Sequence, residues 1–71
     1  FHITPAIFKD RIQINNYQQV KSLEIYSSDG KLIRELTDPA EWIETGNLPQ
    51  GVYFFKLSND KTFKTIRGIK Q

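Results

Sequence analysis

The sequence predicts an all-β fold, an antiparallel β-sandwich of about six to seven short strands. Three observations lead there. Apolar and β-branched residues alternate with polar ones at period two in several short runs. Turn signals built on Gly, Pro, Asn and Asp divide those runs at roughly ten-residue spacing. No stretch carries a convincing helical pattern. A small barrel is the alternative that the same strand count allows.

Ile3-Thr4-Pro5-Ala6-Ile7 begins extended, because a residue before proline is kept out of the helical region. Arg11-Ile12-Gln13-Ile14 alternates as a half-buried strand does, and Asn15-Asn16 is a turn signal. Val20 to Tyr26 is the next strand, with Leu23 and Ile25 on one face. Ser27-Ser28-Asp29-Gly30 reads as a hairpin turn, Asp-Gly supplying the positive φ, and Lys31 to Leu36 returns antiparallel. Thr37-Asp38-Pro39 breaks that strand, and Glu41-Trp42-Ile43-Glu44 is a short one.

Leu48-Pro49-Gln50-Gly51 is a tight turn that launches a strand. Pro49 fixes φ at the second turn position and Gly51 closes the turn. In the strand Val52 to Leu57, Tyr53, Phe55 and Leu57 share one face and Val52 and Phe54 the other. Apolar residues on both faces mark a central strand. After the polar turn Ser58 to Lys61, Thr62 to Ile69 forms the last strand. Gly68 predicts a bulge or bend near its end.

The 71 residues amount to a single domain, residues 1–71. A chain this short buries only about 60% of its unfolded surface, so its stability is marginal. With no cysteine, disulfides and thiolate metal sites are excluded. No apolar run approaches the ~20 residues of a membrane-spanning helix. The chain starts at Phe1 and has no methionine, which predicts a piece excised from a longer protein. The net charge of +2 is unevenly spread. Residues 1–59 hold six basic against seven acidic side chains, whereas residues 60–71 set Lys61, Lys64, Arg67 and Lys70 against Asp60 alone. That segment reads either as an edge strand guarded by lysines or as a docking segment for an acidic partner.

The sequence is poor in catalytic groups. Its one histidine, His2, sits beside a terminus, where preorganised geometry is hard to hold. Asp29, Asp38 and Asp60 fall in turns without calcium-loop spacing. The four glycines are isolated, which excludes a phosphate loop. No catalytic residue, metal ligand or cofactor is therefore expected, and a single aromatic among the basic residues of one strand does not make a nucleic-acid site.

Four pieces of the chain, in order, resemble the C-terminal sorting domain of the type IX (Por) secretion system of Bacteroidetes. They are Ile3-Thr4-Pro5 leading to Ile12-Gln13-Ile14, the strand–turn–strand Leu23 to Ile33 with Gly30 ending the turn, the Leu48–Leu57 motif, and the terminal Lys64 to Gln71. Leu48, Pro49, Gly51 and Tyr53 carry the most specific match, with Pro5 and Gly30 as further architectural positions. The chain departs from the family pattern at Thr4, where Asn is usual, at Gly68 and at Gln71.

The resemblance implies an Ig-like sandwich without catalysis. Such a domain directs a cargo protein, here lying N-terminal to Phe1, from the periplasm through the outer-membrane translocon to the cell surface or beyond. A sortase-like surface peptidase then usually removes it. The expected contacts with the translocon are Lys64, Ile66, Arg67, Ile69 and Lys70, because basic tips are rarely needed inside a small core. An open edge strand also allows self-association. Two rival readings are a carbohydrate-binding or adhesive module with an aromatic strip of Trp42, Tyr17 and Tyr26, and an Ig-like spacer.

Overall fold

The period-two alternation becomes two facing sheets in the computed structural model, which describes residues 1–71. The strands are β1 (His2–Thr4), β2 (Ile7–Phe8), β3 (Arg11–Asn15), β4 (Ser22–Ser27), β5 (Leu32–Thr37), β6 (Trp42–Glu44), β7 (Gly51–Ser58) and β8 (Phe63–Lys70). The smaller sheet has the order β1-β3-β6, and the larger one β2-β8-β7-β4-β5. The shortest molecular extent, 16 Å, leaves room for two sheets about 10 Å apart and no third layer. The fold is thus the expected all-β sandwich.

Two details differ from the expected strand set. The segment around Pro5 forms two strands in different sheets, with the cis Thr4–Pro5 bond between them, so the total is eight. All pairs are antiparallel except β2 with β8, which is parallel. Ile69 and Gln71 donate their backbone N–H groups to the carbonyls of Ala6 and Phe8 at 2.8 and 2.9 Å. A two-residue strand completed by a partner 62 positions away (Ile7 with Ile69) has no local sequence signal.

Alternation along β3, β4 and β7 puts Ile12 and Ile14, Leu23 and Ile25, and Tyr53, Phe55 and Leu57 into the interior. Ile3, Phe8, Val20, Ile43 and Leu48 complete the core. The central position of β7 is as expected, for it lies between β4 and β8. Asn16 takes a left-handed conformation (φ 57°) and starts a 3-10 turn, Tyr17–Gln19, that leads into β4 at Ser22.

The expected bulge at Gly68 is not formed. All eight residues of β8 pair with β7 in unbroken register, from Gly51 opposite Lys70 to Ser58 opposite Phe63. Gly68 serves space instead of bending. A Cβ there would lie 2.9 Å from ring carbons of both Phe8 and Phe55, which pack edge to face over it with centroids 5.5 Å apart.

Candidate functional site

Strand β8 gathers the five residues expected to be recognised, and the fold divides them. At its C-terminal end, Ile69 and Lys70 lie between β7 and β2, and Gly68 just before them lies against the Phe8 and Phe55 rings. From Phe63 to Arg67 only β7 is a neighbour, and the other side is an open edge. Strand geometry identifies the free groups. Ile69 and Gln71 turn their N–H groups away from β7 towards β2. By the alternation of an antiparallel ladder, Phe63, Thr65 and Arg67 turn their N–H and C=O groups the same way, where no strand meets them.

The side chains divide similarly. Lys64 stands opposite Leu57 on the inward face, and its Nζ reaches the carbonyl of Phe1 at 3.3 Å. It ties the last strand to the chain's first residue. Ile66 is half-buried opposite Phe55 and packs on the core. Arg67 is exposed, beside Phe54 on the outer face. Ile69 is half-buried between Val52 and Ile7.

Lys70 corrects the expectation of an exposed tip. It is only 8% exposed, faces inward opposite Gly51, and its ammonium donates to the Gln71 backbone oxygen at 3.1 Å. Its aliphatic stem is suited to this position, since lysine can bury methylenes while its tip finds an acceptor. Of the basic tail, Lys61 and Arg67 remain outside these internal hydrogen bonds. The one ion pair of the molecule is Lys56 with Glu24 at 4.0 Å.

The Leu48–Tyr53 unit positions the β7–β8 ribbon. A turn hydrogen bond from Leu48 N–H to the Thr45 carbonyl, 3.0 Å, precedes it, and Leu48 is buried. Gly51 has φ +150°, a conformation that L side chains rarely adopt. Tyr53 does more than pack: its hydroxyl donates to the Pro49 carbonyl at 2.6 Å. A tyrosine closing on backbone a few residues upstream is the corner device of Ig-type sandwiches. Thr45, fully buried, holds the β2–β3 connection through Thr45 N–H to the Asp10 carbonyl (2.8 Å) and its hydroxyl to the Lys9 carbonyl (3.3 Å). Nothing in the sequence marked Thr45, and only the meeting of two distant loops gives it a role.

Elsewhere the sequence-level candidates are scattered. In the β4–β5 hairpin Gly30 has φ +88°, and Asp29 accepts a hydrogen bond from the Ser27 hydroxyl. That bond, followed by backbone N–H groups, holds the Asp29 carboxyl below the usual range. Trp42 is 47% exposed on the smaller sheet, with the Arg11 guanidinium 4.7 Å over its ring. Tyr26 belongs to the larger sheet, and Tyr17 packs against the core from the 3-10 turn. Trp42 and Tyr26 therefore stand on different sheets and do not make one strip. His2 lies on β1 opposite Asn15, in the other sheet from Tyr26. No three His, Asp or Glu side chains converge to hold a metal ion. A hollow of ≈ 320 Å³ between the 3-10 turn and the β7–β8 loop is lined only by polar residues, among them Lys21, Asn59 and Lys61.

The family model described as the secretion system C-terminal sorting domain matches residues 3–71. No curated protein matches the sequence.

Proposed function

This chain belongs to the family of type IX secretion C-terminal sorting domains, and we propose that the open half of its last strand is what the export machinery reads. Membership makes the domain a sorting signal and its bearer a cargo of the type IX machinery, bound for the cell surface or the extracellular space. Domains of this kind are generally non-catalytic. The finer steps are part of the proposal: passage of the folded domain from the periplasm through the outer-membrane translocon, followed by its removal by a sortase-like peptidase.

One observation carries the reading. Phe63, Thr65 and Arg67 present an unpaired edge in a sheet whose opposite edge is guarded. On β5, Arg34 points inward and donates to the Glu44 carbonyl at 2.8 Å. An inward-facing charge is a recognised way to blunt an edge. Strand addition at β8 would supply main-chain hydrogen bonds that tolerate varied side chains, as a signal shared by many cargoes requires. Arg67 adds a cation on the adjoining outer face, while Ile66, Ile69 and Lys70 hold the edge in place.

The test fuses residues 1–71 to a reporter carrying a periplasmic export signal, in a type IX-competent bacterium. Reporter at the cell surface or in the medium is expected. Reporter retained in the periplasm overturns the sorting function.

A further inference from the structure

The edge of β8 leaves the outer face of the five-stranded sheet unaccounted for, and that face is unevenly built. Cross-strand partners set Ile7, Ile69 and Val52 in one row. The next row runs Arg67, Phe54, Tyr26 and Leu32. Ile7 and Leu32, at the two margins, are 53% and 45% exposed, and the four apolar residues between them are half-buried. The row after these is polar, with Lys56, Glu24 and Glu35. Apart from Phe63, which lies at the far end of this face with the Lys56 ammonium 4.9 Å over its ring, the apolar side chains are collected at the end nearest the Leu48–Gly51 segment and form a band across all five strands. Arg67 stands within the band and makes no hydrogen bond or ion pair.

We propose that this apolar band with Arg67 is a second docking surface, for a component of the export machinery whose contact patch is apolar and carries a carboxylate opposite Arg67. The inference rests on the sorting function proposed above. Two observations select this occupant. An exposed guanidinium without an internal partner, flanked by aromatic and aliphatic groups, complements a carboxylate in an apolar setting, where a charge-assisted, bidentate bond is strongest. The exposed area of the band is on the order of a few hundred Å², the size of a functional surface patch. A stable dimer needs about 800 Å² per partner. A small band suits a carrier that must release its cargo, and it falls short of what a lasting pair of copies of this chain requires.

The experiment uses the same reporter fusion, with Ile7→Ser and Leu32→Ser together, and separately Arg67→Glu, Arg67→Lys and the near-isosteric Val52→Thr. Each domain is also melted in isolation. If the unsubstituted fusion stays in the periplasm, the sorting function itself has failed, which is distinct from failure of this inference. With that fusion exported, the double variant and Arg67→Glu should fold and lose export about tenfold or more, a loss of ~1.4 kcal/mol or more in recognition. Arg67→Lys should retain an intermediate share, because lysine keeps the charge without the planar fork. Val52→Thr, which keeps the side-chain shape, should lower export less than the double variant. Folded variants exported like the unsubstituted fusion overturn the proposal. So does a concentration-dependent dimer of the isolated domain that the double substitution dissolves, because the band then belongs to a second copy. Flotation of the domain with phosphatidylglycerol vesicles, abolished by the same substitutions, overturns it in favour of a lipid surface.

Discussion

The two halves of the last strand share one partner, β7, and little else. From Gly68 to Lys70, β8 is enclosed: Ile69 and Lys70 pair with both β7 and β2, and the bare backbone of Gly68 lies against the rings of Phe8 and Phe55. From Phe63 to Arg67 it has one neighbour and an open edge. The difference separates being part of the signal's architecture from being available to a reader. The extreme end of the chain, the natural place to look for a label, is built into the sandwich. The accessible part lies just before it.

The largest expected effect comes from removing the closed half. Deleting residues 68–71 takes away the partner of β2 and uncovers the Phe8–Phe55 pair. Loss of the cooperative melting transition is predicted by circular dichroism, so a secretion defect in this variant reports unfolding. A folded, exported deletion variant would erase the distinction between the halves.

Phe55→Ala should cost ~3–5 kcal/mol, most or all of the stability of a domain this small. Phe63→Ala, on the same ribbon but 63% exposed, should shift stability by no more than ~0.5 kcal/mol. Chemical denaturation of both measures the contrast. Gly68→Ala should cost ~1–3 kcal/mol, because the added methyl meets two aromatic rings that have little room to retreat. Tyr53→Phe should cost ~1–2 kcal/mol by leaving the Pro49 carbonyl without its donor.

The smallest effect is at the hairpin, far from both halves. The Asp29 carboxyl titrates below its ordinary value, chiefly because the Ser27 hydroxyl bonds to its ionised form. A depressed folded pKa contributes stability above the unfolded value of about 3.9, and that contribution is lost as pH falls through the folded pKa. Ser27→Ala should move the Asp29 titration up towards the ordinary value in an NMR pH series, leaving Phe63 and Phe55 untouched.

Local chemistry made much of this legible from sequence. The Asp29-Gly30 hairpin and the two-sided apolar pattern of β7 each depend on residues within a few positions, and each is found as expected. The tight turn expected over Leu48–Gly51 is a bend instead: the turn hydrogen bond closes three residues earlier, from Leu48 N–H to the Thr45 carbonyl, and Gly51 already opens β7. The Tyr53–Pro49 bond was within reach as well, since a tyrosine four residues after a turn carbonyl is a known corner device. What escaped depends on distant partners. Gly68 is needed because Phe8 arrives from 60 residues away, and Lys70 is buried because β2 pairs beside it. Of the candidate site, the strand itself was readable. Its division was not, because only the ends of β2 determine where the edge of β8 opens.

Thr65→Pro separates the open edge of β8 from the fold that holds it. Thr65 is exposed, and its N–H faces the open edge, so proline removes no ladder bond to β7 and is tolerated as edge prolines are. It does remove the donor that an added strand would use and sets a ring in its path. The variant domain should keep its stability to within ~1 kcal/mol of the unsubstituted one, and its fusion should be retained in the periplasm. A folded Thr65→Pro domain that still carries its reporter to the cell surface would contradict strand addition at β8.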